Sequence, residues 1–197
     1  MVELKAIKSI KKSGKEAFHS NGNPTGEKLL SFWQWSSSEL VGNALRGVLA
    51  EYIVASDIGC VSELRQKWDA YDLETTEGIK VEVKSGAYLQ SWKQDKHSPI
   101  KFGIQPTHGW DAKTNTVATE KTRQSDVYVF CVLAHKDKQT VDPMNMAQWE
   151  FYILATSVLN SNVPKQATIT LSSLKKHNPV QVNYGDIYDT IKSVISY

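Results

Sequence analysis

Cysteine is nearly absent from this chain. Its 197 residues include two, Cys60 and Cys131, each alone, which excludes a disulfide framework and a cysteine-based metal site. Cys131 sits in an apolar, strand-like run and reads as a small core residue. No apolar run approaches the roughly 20 residues of a membrane span, and the lysine-dotted N-terminus lacks the apolar core of a signal peptide. The expectation is a cytoplasmic protein without a membrane partner. Charge of one sign is scarce as well. A net charge of +2, from 23 basic and 21 acidic residues, is too small to argue for nucleic acid by itself, so any such binding must rest on local patches. There is no glycine-rich phosphate loop, no Ser/His/Asp nucleophile constellation and no internal repeat. What is present is ordinary for a soluble globular protein, 41% apolar and 22% charged residues. The length fits a single domain over 1–197 with a substantial core.

The informative stretch runs from Trp68 to Lys84. Its second half alternates: Ile79, Val81 and Val83 point one way, Lys80, Glu82 and Lys84 the other, as side chains on a strand must. Trp68 and Tyr71 make the first half strand-like too. Between the halves, Thr76-Glu77-Gly78 suits a three-residue hairpin loop, with Gly78 taking the positive φ. If so, Thr75 faces Ile79, and counting down the ladder brings Asp72 opposite Glu82, on one face with Cβ atoms about 5 Å apart. Lys84 lies on that face as well. Two adjacent carboxylates repel, and one is pushed to a raised pKa unless a divalent cation relieves the conflict. An oxygen-rich site of this kind suits Mg2+ or Mn2+. The same residues also suit an ordinary solvated hairpin face.

An Asp followed by Glu-x-Lys on the next strand resembles the active-site motif of the PD-(D/E)xK phosphodiesterase superfamily, the restriction-endonuclease-like nucleases. Here the motif is Asp72 with Glu82-Val83-Lys84; Tyr71 stands where the proline that names the family would be. The resemblance implies that Asp72, Glu82 and the Val83 carbonyl hold metal while Lys84 handles the attacking water. It covers about residues 36–155. There the expected order of helix, hairpin, helix, buried strand and strand matches an αβββαβ core, an α/β (α+β) fold with a central mixed sheet flanked by helices.

Around the motif, Ser36 to Glu39 reads as a capping box opening a helix to about Ala55. On a helical wheel Leu40, Val41, Ala44, Leu45, Val48, Leu49 and Tyr52 share an arc, and Glu51 falls within it. A carboxylate there needs a partner such as Arg65 or Lys84, or serves as an auxiliary acid at the metal, a place the resemblance also suits. Ala87 to about His97 reads as a second helix. In this fold it would line the nucleic-acid cleft, with Gln90 supporting substrate or metal and Lys93 and Lys96 on phosphates; Trp92 is expected in the core. Residues 98–123 form a loop-rich insertion, with a short strand at Lys101 to Ile104 and a hairpin from Trp110 to Thr119, where nucleases of this fold carry specificity elements. Ser125 to Ala134 is a strand buried on both faces. Arg123 at its mouth is a candidate phosphate clamp or a partner for Asp126.

Outside the core, 1–27 is expected to be a basic arm or short helix. Residues 156–197 make a C-terminal extension closed by an amphipathic helix with Ile187, Ile191, Val194 and Ile195 inward. The function expected is a metal-dependent endonuclease acting on DNA, compatible with a homodimer. The alternative is a nucleic-acid-binding or protein-interaction module on the same fold that does not cut.

Overall fold

The computed structural model describes residues 7, 9–61, 64–65, 70–111 and 116–195. Trp68, expected to open the hairpin, and Lys5 and Lys8 of the basic arm lie outside the described residues. In chain order the elements are β1 (Ala17–Ser20), β2 (Asn23–Lys28), α1 (Leu29–Ser37), α2 (Asn43–Asp57), β3 (Leu73–Glu74), β4 (Lys80–Ala87), β5 (Lys101–Gly103), β6 (Thr107–Asp111), β7 (Thr116–Thr122), β8 (Val127–Leu133), β9 (Trp149–Ala155), α3 (Thr156–Asn162), β10 (Thr168–Thr170), α4 (Leu171–Lys175), β11 (Val180–Val182) and α5 (Ile187–Ile195).

The central sheet has the order β11-β9-β8-β4-β3. β4 and β8 run parallel, from Val81 beside Val127 to Ala87 beside Leu133, and the other pairings are antiparallel. The mixed sheet with flanking helices is therefore the expected fold class. β8 lies at its centre with all seven residues buried, as a run of β-branched and aromatic residues without alternation requires.

Side-chain alternation divides the interior into two cores. On one face Val81, Val83, Val127, Val129, Phe151 and Ile153 pack under α2 and α5 through Ala50, Ile53, Val54, Ile187 and Ile191. On the other, Tyr128, Phe130, Tyr152 and Leu154 pack against Phe102, Leu159, Ile169 and Leu174. There β5 pairs with β10 as a separate two-stranded layer.

Several sequence expectations are corrected. Ser36 lies in the last turn of α1, not at the start of α2, and Glu39 accepts from the backbone N–H groups of Val41 and Gly42 in the connection. α2 starts at Asn43 and buries Arg46, Ala50, Ile53, Val54 and Ala55. Its inward face is rotated from the expected arc, so that Val48 and Tyr52 are exposed.

No helix follows β4. Residues 88–100 form an irregular connection. The Gln94 side chain holds it by accepting from the Gln90 N–H (2.6 Å) and donating to the Tyr88 carbonyl (3.2 Å). Local side-chain bonds of this kind compete with helical pairing. Trp92, expected in the core, is 54% exposed.

In place of the basic arm or short helix expected over 1–27, residues 17–28 form a β-hairpin. Asn21 and Gly22, both at positive φ (50° and 81°), make the turn between β1 and β2, the conformation that Asn-Gly favours in two-residue loops. At the other end, Ile187 and Ile191 are buried as expected, but Ile195 is 36% exposed.

Candidate active site

The site is built by the hairpin of β3 and β4. Gly78 has φ of 83°, and its N–H donates to the Thr75 carbonyl at 2.9 Å while the Thr75 N–H donates to the Ile79 carbonyl at 3.0 Å. Leu73 pairs with Val81 and Glu74 with Lys80. Asp72, just before β3, donates its N–H at 3.1 Å to the carbonyl of Val81, the residue Leu73 pairs with, and its carboxyl lies near enough to Glu82 to be raised by that charge. β3 stops at Leu73, which leaves the Val83 N–H without a strand partner. The Asp72 carboxylate accepts it at 2.7 Å. Because backbone groups alternate along a strand, the Val83 carbonyl faces the same open edge.

Glu82 and Lys84 project from the opposite face to Val81 and Val83, in line with Tyr128 and Phe130 of β8. The Lys84 ammonium is ion-paired with Glu82, and their side chains keep 29% and 19% exposure. Burial pushes the Asp72 carboxyl up to about 6, helped by the charges of Glu82 and Glu51 and offset by the Val83 N–H and Lys84. Tyr128 is pushed up to about 12, by burial first and the Glu82 charge second. Of the two acids it is Asp72 that is raised, by burial before the neighbouring charge.

Glu51 approaches from α2, near enough to raise Asp72. Its carboxylate is held by Arg65 through two bonds, one of them from Nη2 to Oε1 at 2.7 Å. Among the described residues no group of three or more His, Cys, Asp or Glu side chains is gathered for a metal ion. The donor set at the hairpin still suits a hydrated hard cation, since magnesium typically keeps several waters and takes one or two carboxylates. Asp72, Glu82 and the Val83 carbonyl fit that requirement. Asp72, raised by burial first and by the Glu82 charge second, is the carboxyl whose ionised form such an ion favours.

The remaining sequence candidates are distributed differently. Gln90 is buried, donating to the Ala87 carbonyl at 3.3 Å and accepting from Arg46 at 3.5 Å. Lys93 and Lys96 are exposed on the irregular connection. Arg123 is 8% exposed, and its guanidinium donates to the Ile104 carbonyl (2.7 Å), Asn160 Oδ1 (2.7 Å) and the Val163 carbonyl (2.9 Å). Asp126 is not its partner; that carboxylate accepts the Lys80 N–H at 2.8 Å.

Sequence reasoning passed over Arg46. It is buried on α2, and among the described residues its guanidinium donates to neutral acceptors, Ser85 Oγ (3.1 Å), the Val41 carbonyl (2.8 Å), Asn43 Oδ1 (2.7 Å) and Gln90, with the charge of Glu39 nearby. It ties α2 to the strand residue following Lys84. The signal available was an arginine at i, i+4 and i+7 spacing with Ala50 and Ile53, on the stripe that α2 does bury.

A family model, that of bacteriophage T4 endonuclease IV, matches residues 1–173. The chain belongs to the T4 endonuclease IV family. It is a nuclease, and nucleic acid is its substrate. No curated protein sequence matches it. The T4 endonuclease IV match extends beyond the expected core of 36–155 on both sides, taking in β1, β2 and α1 as well as β10.

Proposed function

We propose that this protein is a metal-dependent endonuclease that hydrolyses phosphodiester bonds in DNA, with a site of the PD-(D/E)xK type formed by Asp72, Glu82 and Lys84. The observation that carries this reading is one hairpin that holds the Asp72 carboxylate on the Val83 N–H, within reach of the Glu82 charge, with Lys84 ion-paired to Glu82. Membership of an endonuclease family supports the reaction class. Unpaired Cys60 and buried Cys131 suit a reducing cytoplasm.

Asp72, Glu82 and the Val83 carbonyl would hold Mg2+ or Mn2+, which supplies Lewis-acid polarisation of the phosphate and a more acidic water. Lys84 shares its charge between Glu82 and the reacting phosphate. Its ammonium orients the attacking water and stabilises the negative charge that develops on the phosphate oxygens. Glu51, clamped by Arg65, acts as an auxiliary acid on the flank of Asp72. Lys93 and Lys96 are free to lie against the DNA backbone, where such contacts position the duplex without reading it. Gln90 supports the end of β4 through Arg46 rather than meeting substrate, and Arg123 braces the wall of the site.

The test is cleavage of plasmid and single-stranded DNA in magnesium, with Asp72→Asn, Glu82→Gln and Lys84→Ala as variants. Each should lose about 100-fold or more in rate while keeping the wild-type circular dichroism spectrum, and chelation should stop the wild type. Undiminished cutting by all three variants would remove the assignment.

A further inference from the structure

We infer that the cavity beside Glu82 and Lys84 receives a single nucleobase next to the bond being cut, and that Gln124 discriminates between bases there. The inference rests on the phosphodiester-cleaving reading of the hairpin. The cavity measures about 310 Å³, and its walls include Glu82, Lys84, Gln105, Thr107, Gln124 and Tyr128. That volume is at the lower end of the roughly 300–1,000 Å³ of small-molecule sites. It has room for one nucleotide, and a base seated among these side chains has left its stack, as enzymes that handle individual bases require. Away from the two reacting side chains the named walls are amides and hydroxyls, the groups that read base edges. The one further charge, Arg123, is spent on three protein oxygens.

Gln124 is fixed where the strand β7 hands the chain to β8. Its Nε2 donates to the carbonyls of Thr107 and Thr122, both at 3.3 Å, and to Thr122 Oγ1 at 2.6 Å. Its Oε1 meets no protein donor among the described residues, and no unpaired polar atom there is sealed from solvent. The side chain is only half-exposed, so the oxygen is an acceptor held in place and open to a ligand. Gly109 makes the fit possible: a Cβ at that position would stand 3.0 Å from Oε1. A fixed acceptor favours a base presenting an N–H at that point. It penalises one presenting an acceptor, because two acceptors are then left facing each other unpaired. Gln105, exposed and without a hydrogen bond among the described residues, is free to meet a second atom of the same base.

Two measurements test this, both on the full chain. In magnesium, a DNA library of random sequence is cut and the ends are sequenced. The wild type should show a base bias of about tenfold or more beside the scissile bond. Gln124→Ala should flatten that bias, and Gly109→Ala, which displaces the same oxygen, should shift it. In chelator, short oligo-dA, oligo-dC, oligo-dG and oligo-dT are titrated by fluorescence anisotropy, which reads the pocket without requiring cleavage. Wild-type affinities should differ among the four, and Gln124→Ala should bring them together. Equal wild-type affinities, or a bias that survives both substitutions, would overturn the pocket. Absence of cutting with an intact binding preference would instead count against the hairpin chemistry alone.

Discussion

Asp72 is the carboxyl of the candidate site that burial perturbs. Its carboxyl rises from an ordinary 3.8 to about 6, mainly through burial and then through Glu82. That difference corresponds to a penalty of roughly 3 kcal/mol on the ionised form. Below about pH 4 the group is protonated both folded and unfolded and the penalty vanishes. Between about 4 and 6 the folded state holds the proton more tightly, so stability falls as pH rises, and above about 6 the loss is complete. Asp72→Asn retains an oxygen for the Val83 N–H without the charge. The variant should therefore melt several degrees above the wild type at pH 8 and level with it at pH 4, as differential scanning calorimetry can measure. Magnesium should raise the wild-type midpoint at pH 8 and leave that of Asp72→Asn in place. At limiting magnesium, cleavage should likewise rise with pH through about 6, and saturating magnesium should move that rise to lower pH, because a cation favours ionised Asp72. At Lys84 the expectation differs. Removing its ammonium frees Glu82 and so leaves metal affinity intact or stronger, while the rate falls. Calorimetric titration of Lys84→Ala with magnesium separates these two effects.

Among the elements, the hairpin of β3 and β4 determines whether the two acids meet. Its register depends on Gly78 at φ of 83°. Gly78→Ala has space, since the nearest atom to the new Cβ is Glu74 Oε1 at 3.8 Å, but the backbone conformation is costly for any side chain, about 1–2 kcal/mol. A loss of that size by urea denaturation, with a larger proportional loss of cleavage, would tie the turn to the site. Arg46 braces the other end of β4. Arg46→Leu leaves Gln90 and Asn43 without their donor and should cost about 2–4 kcal/mol, lowering the urea midpoint. The hairpin was readable in the sequence because a two-residue period and a glycine turn are local facts. The helix expected after it was not there. Tyr88, Leu89 and Trp92 have helical spacing, but Leu89 is buried while Trp92 is exposed, and the amide of Gln94 claims the backbone a helix would need. The face of α2 was misjudged for a related reason. A wheel counts apolar residues, whereas the sheet buries the small Ala50 and the cationic Arg46 and leaves Tyr52 in water.

At the scale of the whole molecule, a five-stranded mixed sheet carries two cores, and the catalytic candidates sit where its edge strand ends early. β8 could be read from its unbroken apolar run. β11 could not: its three residues are exposed or half-buried and gain strand geometry only by pairing with β9. The N-terminal hairpin carried an Asn-Gly signal in a stretch whose lysines suggested a solvated arm. Cation binding at Asp72 and Glu82 is the claim from which the rest follows, and anomalous diffraction from crystals soaked in manganese tests it most directly. The account predicts a peak bridging the carboxylates of Asp72 and Glu82 beside the Val83 carbonyl, lost in Asp72→Asn. Manganese bound elsewhere, with these carboxylates still engaged only by Lys84 and the Val83 N–H in an enzyme that cuts DNA, would contradict it.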